Sequence, residues 1–382
     1  METDRAWIEL NLKNLKHNVE QLCSAMPAGC QLMAVVKAEA YGHGAFQVAS
    51  YLQRIGVTAF AAATIDEAIA LRRCGINGEI LILGYTSPSR AEDLQRYGLI
   101  QTLIGYEYAM ALEQQGCAVK VHMKIDTGMH RLGYDAADIG HIRDSFSLSH
   151  VQVCGMFTHL CVADSLAEKD VQFTRGQIDA VHDLLRALAD MGIHPGKVHI
   201  QSSYGLLNYP ELKCDYVRAG IALYGAYSSP GDKTRLKLDL RPVLSLRSRV
   251  VQIRSVRKGE SVGYGRDFVA ERDSTIAIIP IGYADGIPRS LSGGKGSVLI
   301  NGHQALIVGR ICMDQLAIDI TDVPSVETGA VVTLIGADGD HEITASEVAG
   351  CAGSIANELF SRLGHRLPVI TCAASAEWAH SY

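Results

Sequence analysis

Residues 34–45 read AVVKAEAYGHGA. A short apolar run, Ala34-Val35-Val36, delivers an amine at Lys37, and a Tyr-Gly-His-Gly turn follows at once. A β-branched run of this length, bounded by glycines, reads as a buried strand. Seven further runs of the same kind follow: AFAAAT, EILILGY, IQTLIG, VKVHMKID, VQVCGMFTH, KVHIQSS and YVRAGIALYG. Segments with helical spacing separate them, such as GAFQVASYLQRIG and GQIDAVHDLLRALADMG, the second stopped by Gly192. Strand and helix alternating eight times predict an α/β fold, a (β/α)8 TIM-like barrel, which we assign to residues 1–234.

After the polar loop SSPGDKTRLKLD the rhythm changes. VLSLRSRVVQIRSVR, STIAIIPIGY, SVLINGHQALIVGR, QLAIDITD and AVVTLIG are strands without long helices between them. Asn301-Gly302 between apolar arms is a hairpin signal, because both residues tolerate positive φ. Thr344 and Glu347 form a capping box that opens a short helix. A mostly β C-terminal domain is therefore expected over residues 235–382, and its last ten residues, AASAEWAHSY, read as a loose tail.

A chain of 382 residues exceeds the usual single-domain size, which agrees with two domains. A formal net charge of -6 argues against nucleic acid as a partner. No Lys/Arg run suits an anionic membrane surface, no run reaches transmembrane length, and the start METDRAWIEL has no signal-peptide character. The ten cysteines show no C-x-x-C spacing and read as reduced thiols. These features predict a cytoplasmic catalytic unit that itself makes no membrane contact.

Functional groups of such barrels gather at the C-terminal strand ends. Those ends carry Lys37 and Tyr41, Lys124 with Arg131, His159, Ser203, and Arg218 with Gly220. There is no obvious pair of catalytic carboxylates and no His/Asp cluster with metal-ligand spacing. Cations, hydroxyls and a glycine fit an anionic organic cofactor and a carboxylate substrate. A desolvated lysine at a strand end is a nucleophilic amine suited to a Schiff base. Taken alone, Lys37 reads more readily as a snorkelling or solvent-exposed lysine, and the surrounding constellation is what favours the Schiff base.

The whole set of motifs resembles the pyridoxal-phosphate-dependent alanine racemases. AVVKAEAYGHGA looks like that family's cofactor-lysine signature, with Glu39 where many members carry Asn. MKIDTGMHRLG, FTHL, YVRAGIALYG, VGYGRDF, IPIGYADG and VGRICMDQ match in the family's order, from about Trp7 to Pro368. The resemblance implies a head-to-tail homodimer with shared active sites and pyridoxal 5'-phosphate carried covalently on Lys37. It implies that Tyr41, Ser203, Gly220 and Ile221 hold the phosphate, and that Arg218, supported by His159, faces the pyridine nitrogen. It makes Lys37 and Tyr264 the two opposed bases, with Tyr264 reaching in from the second subunit. Arg131 and the backbone N–H of Met313 would bind the substrate carboxylate. Lys124 matches a position often carbamylated in the family, while an ordinary salt bridge is the alternative. Cys312, Asp314 and Tyr283 are expected at the entrance.

One departure stands out. In SIANELFSRLGHRLPV, Asn357 occupies the position where the family usually carries tyrosine. The same replacement is associated with the serine racemases of vancomycin-resistant bacteria, which supply D-serine for modified peptidoglycan precursors and are the soluble half of a membrane-anchored protein. The resemblance thus implies racemisation of serine and alanine, with Asn357 touching substrate. The alternatives are an ordinary alanine racemase, a decarboxylase of similar architecture, which would generally pair an acid with the pyridine nitrogen where Arg218 stands, and a cofactor carrier without turnover.

Overall fold

The structure is a computed structural model that describes residues 5–364 and 366–372; the tail read as loose lies outside them. Eight parallel strands form the barrel in the order Tyr216–Ala219, Gln31–Val35, Ala59–Ala62, Glu79–Ile82, Ile100–Leu103, Val119–Asp126, Val151–Phe157 and Lys197–His199. Seven lie within the runs read as strands, and Gln31–Val35 begins three residues ahead of Ala34. The seam between the last strand and the first is closed by Asp215 N–H to the Val198 carbonyl at 2.7 Å and Arg218 N–H to the Gln201 carbonyl at 3.1 Å.

Strand alternation explains the layering. On the first barrel strand Met33 and Val35 join a compact cluster with Ala59, Ala61, Leu81, Ile100, Phe157 and Tyr216. Leu32, Ala34 and Val36 point the other way, into the larger core shared with the helices. The barrel interior is apolar at this cluster and polar elsewhere: Thr102, His122, Lys124, His199 and Arg218 are all buried. Polar groups in such a place are retained only when they are paired or face a ligand.

The second domain is built on a twisted sheet in the order Gln252–Val256, Ser274–Ile279, Leu316–Asp319, His303–Val308, Ser297–Ile300, Val331–Asp338, Leu244–Arg249, Ala6–Asn11 and Val369–Cys372, with His341–Ile343 pairing on Val331–Asp338. Strand Ala6–Asn11, from the very start of the chain, pairs antiparallel with Leu244–Arg249 and parallel with Val369–Cys372. A division at 234/235 therefore does not separate the two sheets: the N-terminal strand crosses into the second.

Local expectations meet the structure at several points. Asn301 and Gly302 adopt φ of +50° and +74° and connect Ile300 to its partner His303. Thr344 and Glu347 make the capping box that opens helix Ala345–Cys351. The helix ending before Gly192 runs over Glu168–Asp190, longer at its start than its apolar spacing suggested. The nine cysteines whose side chains are described are free thiols; Cys30 and Cys214 share a thiol–thiol hydrogen bond at 3.9 Å and form no disulfide. No helix among the described residues is long and apolar enough to cross a membrane.

The two domains meet beside the opening lysine turn. Helix Ala356–Arg362 of the second domain packs on residues 37–42, and Ala356 N–H donates to the Ser228 carbonyl at 2.8 Å. A Cβ added at Gly42 would lie 2.1 Å from the Phe360 carbonyl oxygen, so only glycine permits this approach.

Candidate active site

Strand Gln31–Val35 ends two residues before Lys37, and the backbone then does something the sequence did not announce. Ala38, Glu39, Ala40 and Tyr41 all adopt left-handed φ between 50° and 54°. For L-residues this conformation costs about 1–2 kcal/mol each, so the turn exists only because its surroundings fix it. Ala38 N–H donates to Glu67 Oε1 at 2.8 Å and Ala40 N–H to the Val36 carbonyl at 2.9 Å. Gly44 N–H donates to the Glu39 carbonyl at 2.9 Å, and Glu39 Oε2 accepts Ala45 N–H at 3.2 Å. The result aims Lys37 and Tyr41 into one cavity of about 450 Å³ at the C-terminal mouth of the barrel.

Lys124, Arg131, His159, Ser203, Arg218, Gly220, Ile221 and Asn357 line the same cavity, and among the described residues no carboxylate does. Burial, followed by the Arg131 charge, lowers the Lys37 amine below its ordinary pKa, against a smaller opposing pull from Glu67. Burial likewise pushes the Tyr41 phenol up to about 12. Lys124 is brought down to about 8 by burial and then by Arg218. Its amine donates to the Ile125 carbonyl at 2.8 Å, and among the described residues it has no ion-pair partner, so the salt bridge entertained for it does not form.

Arg218 is buried and held from several sides. Its Nη1 donates to the His199 carbonyl at 3.0 Å and to His199 Nδ1 at 2.8 Å. Its Nη2 donates to the Thr158 carbonyl at 2.7 Å, the Ile200 carbonyl at 3.2 Å and His159 Nδ1 at 3.3 Å. No protein acceptor among the described residues takes Nε–H. Because a guanidinium only donates, His199 Nδ1 must accept, and His199 Nε2–H then donates to His122 Nδ1 at 2.8 Å. Burial first, and Arg218 next, hold His159 near pKa 3 and His122 near 4, with His199 well below its ordinary value. All three imidazoles are neutral near pH 7, so Arg218 keeps the charge.

At the opposite end, Ser203 opens helix Ser203–Asn208 and its Oγ accepts N–H from Gly220 at 3.0 Å and Ala222 at 3.3 Å. A Cβ at Gly220 would stand 2.6 Å from the Tyr41 hydroxyl, so the phenol reaches this spot only because position 220 is glycine. Arg131 follows a loop shaped by Asp126, whose Oδ1 accepts N–H from Gly128, Met129 and His130 at 2.9, 3.0 and 3.1 Å. Asn357 lies in the first turn of Ala356–Arg362, and its Oδ1 is buried without a partner among the described residues.

Tyr264 and Met313 stand apart from this group. Tyr264 is 69% exposed on the turn Tyr264–Arg266, Met313 is 53% exposed, and neither lines the cavity of its own chain. Two backbone bonds tie the Met313 segment to the Tyr283 turn: Tyr283 N–H to the Cys312 carbonyl and Ala284 N–H to the Met313 carbonyl, each 3.0 Å. Asp314 is paired with Arg366 at 2.7 Å.

Several contributors had not been singled out. Phe157 lies in the cavity stacked on His199 at 4.7 Å, with the Arg218 and Lys124 cations 5.2 and 5.6 Å from its ring centre. Ser228 and Tyr204 also line it; Ser228 N–H donates to the Tyr204 hydroxyl at 2.7 Å, and that hydroxyl donates to Asp232. Alternation along VKVHMKID and VQVCGMFTH could have pointed inward to His122 and Phe157. Nothing in the loop around Ser228 could have done so.

Comparison with known proteins agrees with this layout. The model of the alanine racemase N-terminal domain matches residues 10–228, and that of the C-terminal domain matches residues 243–371. The chain is 56% identical over 369 residues to an amino-acid racemase of Enterococcus faecalis, covering 97% of this chain and 52% of that protein. It is 40% identical to a serine/alanine racemase of Enterococcus gallinarum, covering 95% of this chain and 51% of that protein. The chain thus spans about half the length of these two curated relatives. Among solved structures, alanine racemase of Clostridium difficile 630 superposes with a TM-score of 0.90 at 33% identity, covering 97% of each chain.

The cofactor of this family, pyridoxal 5'-phosphate, presents an aldehyde, a dianionic phosphate and a ring nitrogen. The cavity fits all three chemically. It offers an amine of lowered pKa, a serine and glycine lobe with a buried phenol, a guanidinium Nε–H without a protein acceptor, and no competing carboxylate. With matching domain models along nearly its whole length, the chain belongs to the alanine racemase family, whose members are pyridoxal-phosphate-dependent isomerases.

Proposed function

We propose that this chain interconverts the L- and D-isomers of serine and of alanine, through active sites shared across a homodimer. Pyridoxal phosphate, when bound, supplies the carbonyl that captures the substrate amine and the ring that withdraws the electron pair left by the departing α-proton. The residues of the chain do the rest.

Lys37 would hold the cofactor covalently and, once released, move a proton on one face of the substrate α-carbon. Its desolvated amine suits that work, because a lower pKa leaves more of it neutral near pH 7. A second base must serve the opposite face. We assign that role to the partner subunit's Tyr264, with the partner subunit's Met313 contributing a backbone N–H to the carboxylate. Support lies in the exposure of both side chains on the surface of a single chain, outside the cavity that holds Lys37. Arg131 would clamp the carboxylate with its planar fork. Arg218 would donate through Nε–H to the ring nitrogen and, unable to release its own proton, leave that nitrogen unprotonated. Ser203, Gly220, Ile221 and Tyr41 would surround the phosphate with hydroxyls and backbone N–H groups.

One observation carries serine as a substrate: the buried Asn357 Oδ1 lacks a protein partner beside the cavity. An orphan acceptor there is satisfied by a substrate hydroxyl and gains nothing from a methyl group. The similarity to the serine/alanine racemase of E. gallinarum points the same way. The cellular role we assign to the product is D-serine for modified peptidoglycan precursors. The test is a D-isomer assay on L-serine and L-alanine, run with and without added pyridoxal phosphate. Both D-isomers should form, and only in its presence; formation of D-alanine alone would return the chain to an ordinary alanine racemase.

A further inference from the structure

Beside the left-handed turn, the imidazole of His43 is fully buried, and the catalytic reading gives it no role. Its Nδ1 lies 2.7 Å from the Tyr41 carbonyl, the last carbonyl of the four left-handed residues. A carbonyl only accepts, so Nδ1 carries the proton, and Nε2 is left as a lone pair with no partner among the described residues. The ring lies against Tyr224, with centroids 4.4 Å apart, and meets Phe360 edge-on at 4.9 Å. Tyr224 is itself fixed, its hydroxyl donating to the Val35 carbonyl at 2.8 Å, just before Lys37. Phe360 lies one helical turn beyond Asn357 on Ala356–Arg362.

We propose that His43 is a positioning residue, a latch that holds the Lys37–Tyr41 turn in its strained form and fixes it against the helix carrying Asn357. Three features of one ring carry this: a donor to the turn's last carbonyl, a face on the barrel's own aromatic, and an edge on the second domain. A phenylalanine would pack as well but could not donate. The bare Nε2 shows that the histidine is not retained for a two-ended polar network, since a buried group left unpaired is a liability. Four left-handed residues favour relaxation to ordinary φ whenever a restraint is lost. A relaxed turn no longer presents Lys37 and Tyr41 together, so the fraction of molecules ready to bind falls and apparent affinity falls with it.

The inference rests on the pyridoxal-phosphate reading of the cavity, and its test separates the two. Pyridoxal phosphate is titrated into the apoprotein and its dissociation constant read by absorbance, for wild type, His43→Phe and His43→Asn. Asparagine places an amide N–H where Nδ1 stands. Loss of one buried donor corresponds to about a tenfold change in affinity. His43→Phe should therefore weaken cofactor binding about tenfold, while His43→Asn recovers most of it. Amide exchange in the apoproteins supplies a second readout that needs no cofactor. In His43→Phe, exchange should quicken in residues 38–45 and 356–362 and stay unchanged in barrel strand Ile100–Leu103. If His43→Phe does not fold, the comparison rests on His43→Asn, which should keep wild-type exchange in residues 38–45, where its amide replaces the donor, and quicken it in 356–362, where the ring edge on Phe360 is lost. Wild-type affinity and exchange in His43→Phe, or faster exchange throughout the barrel, would overturn the latch. Failure of the wild type to bind pyridoxal phosphate would overturn the cofactor reading instead.

Discussion

Arg218 donates to His199 across 2.8 Å, and that one contact fixes the proton positions of a buried chain running on to His122. The guanidinium cannot accept, so each imidazole in turn must accept at Nδ1. A third charge-neutral histidine, His159, meets the same guanidinium from the cavity side. Arg218 is thereby held as a fixed cation aimed by neutral acceptors. Replacing it by lysine removes the fork while keeping the charge. We expect Arg218→Lys to lower kcat/KM about 10²-fold or more, the scale set by losing two or more charge-assisted hydrogen bonds. Steady-state kinetics in both directions check this.

Asn357→Tyr should impair serine turnover preferentially and spare alanine. A pocket that merely makes room for a hydroxyl discriminates by about 10²-fold at most, so the ratio of the two kcat/KM values should shift within that limit. Equal loss with both substrates would remove Asn357 from specificity.

Tyr264→Phe should slow proton abstraction from the L-isomer more than from the D-isomer, and Lys37→Ala should abolish racemisation. Mixing the two impaired proteins, with turnover of the L-isomer as the readout, and letting subunits exchange tests the shared site. A hybrid dimer concentrates both defects in one site and leaves the other intact, so an equal mixture should regain about a quarter of wild-type activity. No recovery in a mixture proven to contain hybrids would place Tyr264 and Lys37 of one chain in the same site.

Lys124 gives a prediction about stability. Its folded pKa, about 8 against an ordinary 10.5, means the folded state holds its proton less tightly than the unfolded chain. The resulting penalty is fully present below pH 8 and is relieved as pH rises toward 10.5. Lys124→Met should therefore stabilise the apoprotein at pH 7, by on the order of 3 kcal/mol for a shift of this size. The gain should shrink toward zero by pH 10.5 in denaturant titrations. A gain that grows with pH would contradict the assignment.

Much of this layout was legible because barrels and binding motifs are local. Each strand run ends within a residue or two of its functional group, so Lys37, Lys124, His159 and Arg218 were locatable from the text alone, as was the Asn301-Gly302 hairpin. What escaped was non-local or stereochemically unexpected. The pairing of Ala6–Asn11 with Val369–Cys372 joins the two ends of the chain, and no periodicity in either strand specifies it. The left-handed run from Ala38 to Tyr41 contains no glycine, the usual marker of such backbone; its causes, Glu67 and His43, act through side chains whose geometry the sequence does not encode. Asp126 and Ser228 shape the cavity from loops in the same way.

The most direct measurement is transfer of solvent hydrogen to the α-carbon. L-serine and L-alanine are incubated in deuterium oxide with the purified protein and pyridoxal phosphate, and products are resolved by chiral chromatography and mass spectrometry. The account predicts D-serine and D-alanine bearing one deuterium at the α-carbon, with the carboxyl group retained. Return of both amino acids undeuterated, or release of their carboxyl carbon as carbon dioxide, would contradict it.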